Sequence, residues 1–308
     1  MDLRQLEFLV AVADSGGFTK GAQAAHVAQP SLSARVRDLE RELGVELFHR
    51  VGRGARLSPA GELILDHARL VLRGVAALRA EAGAVGGLEA GAIDVVALPT
   101  LAVDPLAGLV GRLRAEHPGV VVRIAEADDA GGRGGVAGLV RSGHAEIGLM
   151  DLAGGTVDDG HLPGLVAVRL ADQELMAIGG DPDVVRLRDL AAHPLILTPR
   201  GTSSRGVVTA ALAGLGIEPI VGVEVAQREA VVPLVLAGAG IGFVPGAQAE
   251  AARAQGAVVR RTDPPLVRSI GVVHRGGKLS TAAQAFLGLV TPGSRSPEER
   301  DQPNRPVM

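Results

Sequence analysis

Residues 18–61 read FTKGAQAAHVAQPSLSARVRDLERELGVELFHRVGRGARLSPAG, and the punctuation of this stretch decides the fold. Thr19 can cap a short helix over 20–26, and a tight turn follows at Val27 and Ala28. Pro30 falls in a first helical turn, where its missing N–H costs nothing. The helix it opens runs to Leu43, and Gly44 is a natural residue just past its end. Val45 to Leu47 and Arg56-Leu57 can then pair as a hairpin around Gly52-Arg53-Gly54. Upstream, Asp2 can cap a first helix. Leu3, Leu6, Phe8, Leu9, Val10 and Ala13 repeat in it at helical spacing until Ser15-Gly16-Gly17.

Two short helices joined by a tight turn, with a hairpin behind, can present side chains to DNA. Gln29, Pro30, Ser31, Ser33, Arg35 and Arg37 lie in the first turns of the second helix. A helix entering the major groove uses that end against base edges. Gln can bond an adenine edge twice, Arg a guanine edge, and hydroxyls such as those of Thr19, Ser31 and Ser33 suit phosphates. Arg50, Arg53 and Arg56 lie on or beside the Gly-rich hairpin tip, which can follow a phosphate backbone or enter a minor groove. Segment 1–58 holds eight Lys/Arg and seven Asp/Glu. Its acids gather at Asp38, Glu40, Glu42 and Glu46, while 29–37 and 50–56 have none. A charged helix on a solvated face explains the same residues, and pattern alone leaves both readings open.

Working outward, Ser58-Pro59 is a cap followed by Pro at the first helical position, and one long helix is expected to about Ala84. Ile64, Ala68, Val71, Val75 and Leu78 recur along it at steps of four and three. Such a stripe fits a second copy of the helix or the chain's own domain. Gly86-Gly87 and Gly91 mark a hinge. Beyond it, β-rich runs at 93–97, 120–125, 147–150, 175–178, 195–197, 220–225 and 241–244 alternate with helical stretches. That alternation predicts parallel α/β sheets in two subdomains. The tail from Thr291 has four Pro and is expected to be disordered.

The composition excludes several classes. With 308 residues, 47% hydrophobic and 21% charged, the chain can bury a sizeable core over two or three domains. The net charge of -3 gives nucleic-acid binding no support of its own. There is no Cys, so thiol sensing, thiolate metal sites and disulfides are excluded. No metal or cofactor spacing occurs, and Asp128 and Asp129 read as a solvated loop. No apolar run of about 18 residues exists, so a cytoplasmic, membrane-free protein is expected.

The set Ala22, Ala25, Gln29-Pro30, Leu32-Ser33, Leu39-Glu40, Leu43-Gly44, Leu47-Phe48, Arg50 and Leu57-Ser58-Pro59-Ala60-Gly61 resembles the N-terminal signature of LysR-type transcription regulators. The family usually reads A-A-x-x-L-x-x-S-Q-P-A-L-S, then L-E-x-x-L-G-x-x-L-F-x-R, then L-T-x-A-G. The likeness covers nearly the whole chain except the tail. It implies a multidomain protein, with an all-α winged helix-turn-helix over 1–58 and a linker and dimerisation helix with hinge over 59–89. An α/β effector domain, similar to periplasmic binding proteins, follows over 90–291. Its subdomain I is expected at about 90–162 and 267–291, its subdomain II at about 163–266, and the tail at 292–308.

The resemblance implies double-stranded operator DNA, a small-molecule effector, a homodimer or homotetramer and RNA polymerase as partners. Departures are few. Gly21 stands where the family prefers Ala, at an expected cost of ~1 kcal/mol in a helix. Ala28 replaces a capping Ser, another ~1 kcal/mol. Ala25 and Ala34 replace a usual Leu and a frequent Arg.

By the same resemblance, Pro99, Thr100 and Leu101, after the first strand of the α/β region, face Gly201, Thr202 and Ser203 across an effector cleft, with Gln227 a third lip. Free N–H groups and hydroxyls at a helix entry favour a carboxylate or other anion, though neutral ligands fit nearly as well and ordinary N-capping is the simpler role. The glycines of 238–242 precede a strand, which argues against a dinucleotide loop. The alternative to a regulator is a cytoplasmic α/β binding protein or enzyme with an incidental helical N-terminus. No catalytic set supports an enzyme.

Overall fold

A computed structural model describes residues 1–51, 54–83, 91–127, 134–152, 161–180 and 186–290. The chain divides into two compact units, one built on Met1–Gly87 with Arg141–Ala145, the other on Leu88–Val140 with Glu146–Met308.

The first unit contains α1 (Leu3–Asp14), α2 (Phe18–Ala24), α3 (Gln29–Leu43), the hairpin β1 (Phe48–Val51) and β2 (Gly54–Leu57), and α4 (Pro59–Gly83). Asp2 opens α1 through a reciprocal capping box with Gln5. Gly44 closes α3 in the left-handed conformation. The helix α2 begins at Phe18 after Gly17, so Thr19 lies inside it and caps nothing. The hairpin pairs Phe48 with Leu57, later in sequence than the expected run at 45–47. One core holds the unit together, centred on Leu9, Val12, Leu32, Val36, Leu39 and Leu47. The start of α4 belongs to this core through Leu65 and Ala68.

Three sequence features of this unit acquire physical reasons here. A Cβ on Gly21 would lie 2.9 Å from Val12 Cα and 3.0 Å from Ala11 O. The helices α1 and α2 therefore close to backbone contact, and a Cβ at 21 would have to push them apart. The expectation that it merely costs helix propensity is corrected. The Glu40 carboxylate accepts the backbone N–H groups of Leu47 and Phe48 at 2.8 and 3.2 Å, tying α3 to the hairpin. The Ser58 hydroxyl donates to Glu46 O and accepts from Gly61 N, capping α4 and fixing it to the segment that enters β1.

The second unit holds β3 (Gly91–Ala97), α5 (Pro99–Leu101), α6 (Ala107–Glu116), β4 (Val120–Glu126), α7 (Val136–Arg141), β5 (Ile147–Asp151), β6 (His161–Leu162) and β7 (Leu165–Ile178). It continues with β8 (Leu195–Leu197), α8 (Ser203–Gly214), β9 (Val221–Glu224), α9 (Val231–Leu236), β10 (Gly242–Pro245), α10 (Gly246–Ala254), β11 (Val259–Arg260), β12 (Leu266–His274) and α11 (Thr281–Val290). The main sheet runs β10-β7-β12-β5-β3-β4 among the described residues, with β6 and β11 on β7. The expected parallel pairing holds for β3 with β4 and β5, and for β8 with β9. Around β7 and β12 every pairing is antiparallel, so the sheet is mixed. The sequence reading found only the last four residues of β7 and missed β12. In β7 the charged residues Arg169, Asp172 and Glu174 break the apolar alternation, and in β12 Arg268 interrupts it.

Arg53, Asp128, Asp129 and the tail from Thr291 lie outside the described residues.

Candidate functional sites

The first candidate site is the start of α3. Ala28 occupies its N-cap in extended conformation without a side-chain bond to a free N–H. Ala28→Ser should therefore raise the stability of the first unit by ~1 kcal/mol, read as a higher urea midpoint at unchanged slope. No gain would mean that solvent already satisfies the helix entry. Gln29, Pro30, Ser31, Arg35 and Arg37 are exposed on the first turns. Arg37 Nε donates to Ser33 O, and Arg35 lies 3.8 Å from the Asp2 carboxylate, both ends open to water. Ser33 corrects the sequence reading: its side chain is 4% exposed, on the buried face with Leu32 and Val36. Thr19 on α2 and Arg56 on β2 are exposed. Arg50 lies on β1, and its side chain is outside the described residues.

The stripe on α4 divides in two. Ala68 lies in the core of the first unit, and Ile64 packs against that core. These two positions serve their own domain, correcting their expected place between copies. Val75 is half-buried, while Val71 and Leu78 are 46% and 68% exposed. Leu63 joins them at 63%, a position outside the stripe read from sequence.

The second candidate site forms where α5, α8, β5, β7 and β12 meet. Arg268, on β12, is 1% exposed. Its Nη2 donates to Thr100 Oγ1 at 2.7 Å and to Gln173 Oε1. Its Nη1 donates to Ser203 Oγ at 2.9 Å. The Ser203 hydroxyl in turn donates to Asp151 Oδ2 at 2.6 Å. Thr100 and Ser203, paired across a cleft in the sequence reading, are thus joined through one guanidinium. Burial pulls Arg268 down to about 10, opposed by the nearby Asp151 carboxylate.

The other predicted residues differ. Leu101 is fully buried, as core. Pro99 is half-buried at the start of α5. Thr202 donates to Pro199 O and bonds the Thr198 hydroxyl, so it closes its own turn rather than reaching Thr100. Gly201 takes φ +89°, which lets that turn form without a Cβ penalty. Gln227 is exposed. Beside it, Arg228 is held below its ordinary value by burial, against the pull of Glu126 and Glu229. Sequence reasoning gave no site role to Arg268, Gln173 or Asp151. The available signal was a lone Arg in the largely apolar run LVRSIGVVH.

Among the described residues no helix is long and apolar enough to cross a membrane. Comparison with known proteins agrees with both units. Residues 3–62 match the model of the bacterial regulatory helix-turn-helix protein, lysR family, and residues 86–294 match the LysR substrate binding domain. The chain is 33% identical over 215 residues to the HTH-type transcriptional regulator TfdT of Cupriavidus pinatubonensis, covering 65% of this chain and 86% of that one. It is 29% identical over 285 residues to a hydrogen peroxide-inducible genes activator of Escherichia coli, covering 90% of each. The crystal structure of full-length CbnR complexed with its target DNA shares the fold at TM-score 0.65 and 24% identity, over 94% of this chain and 99% of that one.

Proposed function

Because the chain belongs to the LysR family of transcriptional regulators, we propose that the exposed start of α3 reads operator DNA and that the Thr100–Arg268–Ser203 cluster reports an effector to it. The observation that carries the DNA half is the open first turn of α3. Gln29, Ser31 and Arg35 stand exposed there, on a helix whose opposite face is locked into the core. Gln29 and Arg35 suit base edges, while Thr19, Pro30, Ser31, Arg37, Arg50, Arg53 and Arg56 suit the backbone and flanking groove.

The working division is a DNA-binding domain over 1–58, a linker over 59–89 and an effector domain over 90–291. The first turns of α4 act as part of the DNA-binding core. The two subdomains meet along β7 and β12, with effector between them. Leu63, Val71 and Leu78 supply an exposed apolar face on α4 for a second copy, in a dimer or a tetramer. The protein acts in the cytoplasm, without catalysis, by altering how RNA polymerase engages a promoter. An effector shifts that output only through different affinity for two arrangements of the assembly. The likeness to a hydrogen peroxide-inducible activator does not bring its stimulus, since this chain has no cysteine to oxidise.

A gel shift on the DNA upstream of the chain's own gene, at fixed salt with competitor present, tests this reading. Gln29→Ala should weaken specific binding by ~1–3 kcal/mol and leave non-specific binding alone. Arg56→Ala should weaken both together. If neither substitution changes specific binding, or if a genome-wide selection yields no site, the regulator reading falls.

A further inference from the structure

The Arg268 guanidinium is buried, and its acceptors among the described residues are neutral oxygens. Gln173 Oε1 takes Nε at 3.0 Å and also Nη2, Thr100 Oγ1 takes Nη2, and Ser203 Oγ takes Nη1. These are four bonds from five N–H groups. The remaining Nη1 hydrogen has no acceptor among the described residues. The Gln173 amide is held with its oxygen toward Arg268 because its nitrogen donates to Asp104 O at 3.0 Å. The carboxylate bound into the cluster, Asp151, contacts the Ser203 hydroxyl and stands one group removed from the guanidinium.

A cation taken out of water is ordinarily matched by an anion in direct contact. Here dipoles stand in for it, and the depressed Arg268 value records the shortfall. A structural arginine would be expected to carry its carboxylate with it, as Arg205 does with Glu224 in the same unit. Buried Arg260 gives its Nη2 to the backbone carbonyl of Gly179, whereas Arg268 draws its acceptors from side chains on three separate elements, and this marks it as a receptor rather than a brace.

We propose that Arg268 is the anion receptor of the effector cleft, and that the effector presents a carboxylate which takes guanidinium donors from the Ser203 and Thr100 hydroxyls. This rests on the reading of the cluster as the effector site. Thr100 lies on α5 and Ser203 on α8, so a carboxylate on Arg268 releases hydroxyls from two separate elements at once. The Ser203–Asp151 bond is left to find a new geometry. Anion capture is thereby coupled to the contacts that bridge the unit. Arg268 also sets specificity, because an amide of the same shape carries no charge and brings an NH2 group that opposes the guanidinium N–H groups.

The test is calorimetric titration of the full-length protein with acetate, succinate and benzoate, each beside its neutral amide. At least one acid should bind about tenfold or more tightly than its amide, as expected for a buried charge-assisted pair. Arg268→Gln should erase that preference. Gln173→Glu should also erase it, by setting a permanent carboxylate against the guanidinium, while raising the thermal midpoint. This second variant keeps the test sharp if Arg268→Gln fails to fold.

Equal binding of acid and amide, retained acid binding in Gln173→Glu, or no saturable acid binding at millimolar concentration would each overturn the proposal. A gel shift on the operator in parallel separates the two readings. Operator binding without acid binding removes the anion receptor alone, and absence of operator binding removes the regulator reading beneath it.

Discussion

Gly61→Ala is expected to cost the first unit about 3 kcal/mol and to abolish operator binding with it. Propensity alone argues the other way, since Ala in a helix is worth ~1 kcal/mol over Gly. Space decides the sign. A Cβ at 61 would stand 2.1 Å from Leu47 O and 2.9 Å from Leu47 C. Both are backbone atoms of the segment entering β1, and they cannot swing aside as a side chain would. That carbonyl also accepts the Ser58 N–H at 2.9 Å, and the Ser58 hydroxyl holds both Glu46 O and Gly61 N. Moving Leu47 to admit a methyl group therefore breaks the cap of α4 and strains the bonds from Leu47 and Phe48 to Glu40. Urea unfolding followed by circular dichroism, with a gel shift on the same samples, reads both effects. An unchanged midpoint with unchanged operator affinity would show that the hairpin tolerates the shift and that the close approach is not a constraint.

Phe286→Ala is expected to destabilise the second unit by ~3–5 kcal/mol. The ring is fully buried on α11, which packs on α6 and β3. With five Phe and neither Trp nor Tyr in the chain, no neighbouring aromatic stands ready to fill the space. Truncating so deeply buried a ring leaves a cavity, whose cost adds to the lost transfer energy. Phe286→Leu retains most of the volume and should cost under ~1.5 kcal/mol. The pair is measured by thermal melts at matched concentration. A loss below about 1 kcal/mol for the alanine variant would mean that α11 collapses into the gap, a packing looser than the buried ring suggests.

The DNA-binding half of the molecule was legible because its punctuation is local. Asp2, Gly44 and Pro30 act on the helix each adjoins, and Ser58-Pro59 starts α4 where it was placed. What escaped was set by contacts distant in sequence. Gly21 reads as a poor helix residue until Val12 is found against it. Ser33 is a small polar residue between Ser31 and Arg35, both exposed, and only the 100° turn per residue puts it beside Val36 on the buried face. Ile64 and Ala68 fit a heptad as well as they fit a domain core, because one stripe cannot say which surface covers it.

In the second unit, Thr100 and Ser203 were found from loops that follow strands, which is a local signal. Arg268 was not, since nothing near it in sequence shows that β12 passes between those loops. Its acceptors Thr100 and Gln173 lie 168 and 95 residues away. A cluster assembled by topology leaves no spacing to read.

The helix α4 is at once a piece of the DNA-binding core and a shaft extending beyond it. Its 25 residues make a rod about 37 Å long. At one end Leu65 and Ala68 are clamped among the same side chains that hold α3, and at the other Leu78 stands clear of the core. Such a rod is a lever with its load bolted on. Pivoting it by about 10° at the far end carries the clamped end roughly 6 Å. That is nearly two steps of the sugar–phosphate ladder, which repeats at about 3.4 Å. A small angular error at the distal end is therefore enough to displace α3 by more than one such step, with no side chain in the core of the first unit repacked.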